Sequence, residues 1–173
     1  MYYVRKLSNN PNLEKVRWTE NIGELGADIL KQELGTTENA LSFWKCASLE
    51  SLKDTIKAIL LSTTGIRTSQ FFILTDEMVD KYGLKMDDTQ PGKTGYKGFE
   101  RLHINMIELT YSKIGTVLEM LKEVFKDSNN TPKLEKEEVK AYIMEVIQAD
   151  LLNKDELQES LKKDIDKYFS DIN

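Results

Sequence analysis

Phe71-Phe72-Ile73-Leu74, followed by Thr75 and Asp76, is the stretch on which the fold reading turns. Successive side chains of a strand point to opposite faces, so an unbroken apolar run of this length is a strand needing cover on both sides. Just after it, Thr75 is placed to cap a short helix from Asp76 to Tyr82, and Gly83 to close it. Just before it, Leu49, Leu52, Ile56, Ile59 and Leu60 recur at helical spacing behind Ser48, a natural N-cap. Ser62-Thr63-Thr64-Gly65 ends that stripe. Further back, Ala40 to Cys46 reads as a second, aromatic-rich strand. Ile22, Leu25, Ile29 and Leu30 form another helical stripe, stopped by Gly35 and weakened by Gly23 and Gly26. Tyr2 to Leu7 reads as a first strand, broken off at Asn9-Asn10-Pro11-Asn12.

This alternation of strands and helices predicts an α/β fold, with α+β as its variant: a small sheet of about three or more strands packed by helices. Beyond Gly83, Leu84 to Gly98 reads as a long loop. From Phe99 to Lys126 the residues Ile107, Tyr111, Ile114, Leu118, Leu121 and Phe125 step by four and three, which predicts one long helix. A rival reading exists, because Leu102, Ile104 and Met106 alternate with His103 and Asn105 as in a strand. The unbroken helical period favours the helix.

Past Asp127, Thr131-Pro132 has the form of an N-cap with proline at N1, opening a helix to about Leu151. Asn153 with Glu156 resembles a capping box that starts a second helix through Phe169. The short link predicts an antiparallel helical hairpin. The expected organisation is therefore a sheet core over 1–98, a long helix over 99–126 and a hairpin over 127–173, within one compact domain.

Composition narrows the function classes. With 40% hydrophobic and 31% charged residues, the 173-residue chain can bury a core. No stretch approaches the roughly 18 continuous apolar residues of a membrane span. Met1 to Leu7 becomes charged too soon for a signal peptide. Cys46, the single cysteine, excludes an intrachain disulfide and a thiolate zinc cluster, so a cytoplasmic location is expected. The formal charge of −5 resides after residue 126, where seven lysines face twelve carboxylates. Only Arg5, Arg17, Arg67 and Arg101 are arginines, which argues against nucleic acid as a partner.

Gly92-Lys93-Thr94 matches the end of a phosphate-binding P-loop, but the glycine required five residues earlier is Asp87 and no strand directly precedes the motif. A looser anion site would use Lys93, Lys97, Arg101 and His103 beside the start of the long helix. His103 is the only histidine, hence the one imidazole base. Asp76 and Asp80 share a helix face and are the candidate magnesium ligands, although the helix dipole alone favours acids there. Cys46 has the setting of an inert buried thiol, and the large aromatic residues read as core.

No cofactor is expected. The sequence favours a non-enzymatic interaction subunit or adaptor of a bacterial or phage multi-component system, contacting a protein partner or a second copy of itself. Its surface would be the hairpin side chains Tyr142, Val146, Leu157, Leu161, Tyr168 and Phe169. The alternative is a phosphate-, nucleotide- or magnesium-dependent ligand-binding protein or enzyme using the 84–98 loop.

Overall fold

Phe71 to Leu74 lies in the interior of a sheet, and each of its four side chains keeps at most 4% of its exposure. Phe71 and Ile73 enter one apolar cluster while Phe72 and Leu74 enter another on the opposite face. Such double-sided burial stabilises by roughly 1.5–3 kcal/mol per large apolar side chain, provided both faces are roofed.

The computed structural model describes residues 1–7, 21 and 37–170. The break at Asn9 to Asn12, Trp18 and the helical stripe from Ile22 to Gly35 lie outside the described residues. Within them the elements are β1 (Tyr2–Lys6), β2 (Leu41–Cys46), α1 (Leu52–Leu60), β3 (Ser69–Thr75), α2 (Asp76–Lys81), β4 (Lys85–Asp87), β5 (His103–Ile107), α3 (Tyr111–Lys126), β6 (Lys133–Leu134), α4 (Lys136–Gln148) and α5 (Glu159–Phe169). The strands form one six-stranded sheet in the order β4-β5-β2-β1-β3-β6. Every neighbouring pair is antiparallel. The mixed α/β class is thus realised as a layered sandwich. Side chains of α1, α4 and α5 cover one face and those of α2 and α3 the other.

The local signals around β3 act as read from the sequence. Thr75 Oγ1 accepts from the Met78 N–H at 3.3 Å, and Gly83 adopts φ +58°, which lets the chain leave α2 without a Cβ penalty. One expectation is corrected: 99–126 is not a single helix. Residues 100–102 make a 3-10 turn, 103–107 form β5, and the helix begins only at Tyr111. Pairing with the outer edge of β2, from Leu41↔Met106 to Trp44↔His103, satisfies backbone groups that a helix would leave unmet. Ile104 and Met106 are then buried on one face, whereas Tyr111 is 97% exposed despite its place in the apparent stripe.

Three further boundaries move. Residues 85–87, expected in a loop, form β4 on the edge of β5. Thr131-Pro132 does not cap a helix; the Pro132 carbonyl accepts from Phe71 N at 2.9 Å and β6 extends the sheet beyond β3. The first C-terminal helix starts instead behind Glu135, whose N–H is taken by the Glu138 carboxylate at 2.8 Å. Asn153 caps only the 3-10 turn at 154–156, and α5 opens behind Gln158.

Lys6, at the end of β1, has an ammonium nitrogen buried with no hydrogen-bond partner among the described residues. Burial, and then the neighbouring Arg67 cation, push its pKa from 10.5 down to about 8. Between these values the unfolded chain binds the extra proton, so stability rises with pH from about 8 to about 10.5. Lys6→Met is therefore expected to stabilise the protein at pH 7 by about 1–3 kcal/mol in urea unfolding, allowing for partial solvation. The gain should fade as pH climbs through that window; a gain independent of pH would refute the charge-burial account.

Candidate functional site

The stretch after β4 is not an open ligand loop. Gly92 N–H bonds to Glu100 O at 2.9 Å, Gly95 N–H to Leu61 O at 3.1 Å and Lys97 N–H to Leu151 O at 2.9 Å, while Gly95 O accepts from Asn153 N at 2.8 Å. The chain from 92 to 97 thus works as a strap joining the end of α1 to the α4–α5 link. Thr94 is fully buried and donates its hydroxyl to Ala58 O at 2.7 Å, so it is unavailable to a phosphate or magnesium ion. Tyr96 is buried beside it and stacks on Phe99 at a ring separation of 3.9 Å.

The expected cations do not converge on a helix start, because β5 occupies the place of that start. Lys97 donates to the Asp150 carbonyl at 3.1 Å just past α4. Lys93 and Arg101 are exposed. Asp76 accepts from the Tyr3 hydroxyl at 2.6 Å and pairs with the Met1 amino group at 2.9 Å. The Tyr3 bond, followed by that amino group, holds the Asp76 carboxyl below its ordinary range. Asp80 is exposed one turn away. Among the described residues no group of three or more His, Cys, Asp or Glu side chains is placed to hold a metal ion. The Cys46 thiol is buried and donates to Ser48 O at 2.7 Å.

The hairpin surface is also corrected. Val146, Leu157, Leu161 and Phe169 are 0–6% exposed, inside the cluster that roofs β1 and β3. A sheet buried on both faces needs that cover, so these four side chains are core. Tyr142 and Tyr168 alone among the six remain half-buried.

What the structure assembles instead is a polar cleft of about 360 Å³ lined by Arg5, Thr37, Glu38, Ala40, Ser42, Gln90, His103 and Asn105. Four separate stretches supply it. Arg5 of β1 donates Nη1 to the Ser42 carbonyl at 2.7 Å and sits over the Phe43 ring. Ser42 of β2 donates its hydroxyl to Asn105 Oδ1 of β5 at 3.3 Å. Thr37 and Ala40 pair across a two-residue turn in which Glu38 and Asn39 have φ +54° and +58°. A turn with two such residues favours Asn or Gly, so Glu38 is held at some conformational cost.

His103 is fixed most firmly. Its Nδ1 lies 3.0 Å from the Gln90 carbonyl, which only accepts, so Nδ1 carries a proton and, in the neutral imidazole, Nε2 is the acceptor. Trp44 meets the imidazole edge-on at 5.5 Å. Gly92 presses on both rings: a Cβ there would stand 2.6 Å from His103 Cβ and 2.9 Å from the Trp44 ring. Of the sequence candidates, only His103 falls in the cleft. Gln90 was inside the suspected loop, and Asn105 was visible in the strand alternation; Arg5, Thr37, Glu38 and Ser42 gave no local signal.

No protein-family model matches the chain, and comparison with curated proteins and with solved structures finds no match.

Gly92→Ala is expected to destabilise by about 1–3 kcal/mol in urea unfolding, since neither the His103 Cβ nor the indole can withdraw freely. It should also shift the His103 ring resonances in NMR spectra. An unchanged imidazole spectrum would show that Gly92 does not set the cleft wall.

Proposed function

We propose that the chain binds a small zwitterionic ligand, of the free amino-acid type, in the cleft between β2, β5 and the Glu38-Asn39 turn. One observation carries the reading: a guanidinium, a carboxylate and an imidazole of fixed tautomer line a single cleft with four neutral polar side chains. Its volume is within the roughly 300–1,000 Å³ common to small-ligand sites. Ala40 is the one apolar lining residue, which disfavours a greasy ligand. Opposite formal charges on Arg5 and Glu38 complement a molecule that carries both signs. The positive charge of the Arg5 guanidinium suits a carboxylate. The Glu38 carboxylate suits an ammonium group, and Nε2 of His103 accepts from a neutral or cationic donor.

The lining supports recognition without large rearrangement. Arg5, Ser42, Asn105 and His103 are each held by a hydrogen bond within the wall. Side chains already ordered lose less entropy on binding, which favours affinity for a small ligand. This reading retains the contribution of the 84–98 stretch through Gln90, and replaces the phosphate-and-magnesium chemistry by charge-paired recognition.

The test is an NMR titration of the full chain with free L-amino acids, their N-acetyl forms and their methyl esters. At least one free amino acid is expected to shift resonances of His103, Asn105 and Glu38. Blocking either charge should weaken it about 10–100-fold, the value of a charge-assisted contact. Glu38→Gln, an exposed change, should abolish the discrimination against the N-acetyl form alone. A panel with no binder, or blocked forms that bind equally, rejects the proposal.

A further inference from the structure

Away from the cleft, the outer side of α4 meets the last turn of α5 at Tyr168, and three lysines surround that ring. Lys136 donates Nζ to the Tyr168 hydroxyl at 2.9 Å and lies 4.8 Å from the ring centroid. The ammonium of Lys140 lies 4.4 Å from the same centroid and that of Lys167 lies 5.3 Å from it. Two helices therefore bring three cations against one half-buried aromatic ring, within a region whose overall charge is −5.

The neighbouring acids neutralise the group only in part. Glu137 pairs with Lys140 at 2.9 Å. Asp164 accepts the Ile66 N–H at 2.8 Å and acts on Lys136 and Tyr168 through its charge without an ion pair to either. Lys136 is bonded to a neutral phenol, and neither it nor Lys167 has a carboxylate partner within ion-pair distance among the described residues. Crowded ammonium groups repel one another, and an incoming carboxylate relieves that repulsion. The face of an aromatic ring beside cations also offers an apolar platform for the stem of an acidic side chain.

We propose that this face docks an acidic segment of a partner protein, with Tyr168 at the centre of the contact. Charge complementarity specifies the segment further. A positive island in an acidic surround fits a central pair of acidic residues flanked by basic ones, because a uniformly acidic chain would be repelled by the flanks. Tyrosine is among the residue types that dominate interface energetics. The hydrogen bond from Lys136 and the nearby cations place the Tyr168 phenol below its ordinary pKa, in keeping with the same local excess of positive charge. The proposal does not depend on the cleft, which is built from other segments.

The test is a fluorescence-anisotropy titration of the full chain with a labelled Lys-Lys-Glu-Glu-Lys-Lys peptide, its Gln-Gln counterpart and a duplex DNA of matched length. Binding of the Glu-Glu peptide is expected, weakened at least about tenfold in the Gln-Gln form and by Tyr168→Ala or Lys140→Glu. Lys163→Glu, exposed on the same helix, should change it less than about twofold. Circular dichroism and urea unfolding establish that each variant is folded. Absence of binding, equal binding of both peptides, preference for the DNA, or equal sensitivity to Lys163→Glu would each overturn the proposal.

Discussion

Strands β1 and β3 are buried on both faces, and most of the architecture follows from that single condition. Val4, Phe71 and Ile73 require apolar neighbours on one side, while Tyr3, Phe72 and Leu74 require them on the other. One helix layer cannot meet both demands. The chain meets the first with α1, α4 and α5 and the second with α2 and α3. Helices committed to roofing a sheet keep only their outer faces for other work. The amphipathic C-terminal pair is accordingly part of the core, and its fully exposed side chains are mostly polar.

Two polar devices hold the first layer together. The strap from Gly92 to Lys97 hydrogen-bonds to the end of α1 and to the α4–α5 link, and Thr94 satisfies the Ala58 carbonyl from within the core. Lys57 of α1, only 9% exposed, lies 3.1 Å from Asp54 and 3.0 Å from Glu145 of α4. Burial opposes its charge, but the bonds to Glu145 and Asp54 outweigh that and raise its pKa. A paired ammonium at a helix–helix contact fixes relative placement more than it adds net stability. Lys6 shows the contrast, since its ammonium is buried without a hydrogen-bond partner among the described residues and its pKa moves the other way.

What was legible in the sequence was local. Thr75 as a cap, Gly83 as a left-handed stop and the four-residue apolar run each depend on neighbours within a few positions, and each is realised. Strands β5 and β6 were misread because the demand that creates them is distant. The outer edge of β2 needs partners far away in sequence, for example Asn105 for Ser42, 63 residues on. The alternation of Leu102, Ile104 and Met106 hints at β5, but Ile107 falls in step with the period of α3 and masks it. The cleft was hidden for the same reason, its walls coming from residues 5, 37–42, 90 and 103–105. Net charge misled in a related way. The sum of −5 after residue 126 is correct, yet folding gathers three of its seven lysines at one ring.

Stability and recognition meet at Gly92. Its backbone N–H anchors the strap to Glu100, and its missing side chain lets His103 and Trp44 approach that backbone closely. The Gln90 carbonyl, just before the strap, accepts from Nδ1 of that imidazole. The segment that ties α1 to the α4–α5 link is therefore continuous with the one that sets the hydrogen-bonding sense of the cleft's only imidazole. A rigid scaffold segment positions a functional group more narrowly than a free loop does, because its geometry is determined by bonds on both sides. Loosening the strap would then relax the tautomer preference along with the packing, and the cleft is better regarded as a consequence of the core than as an addition to it.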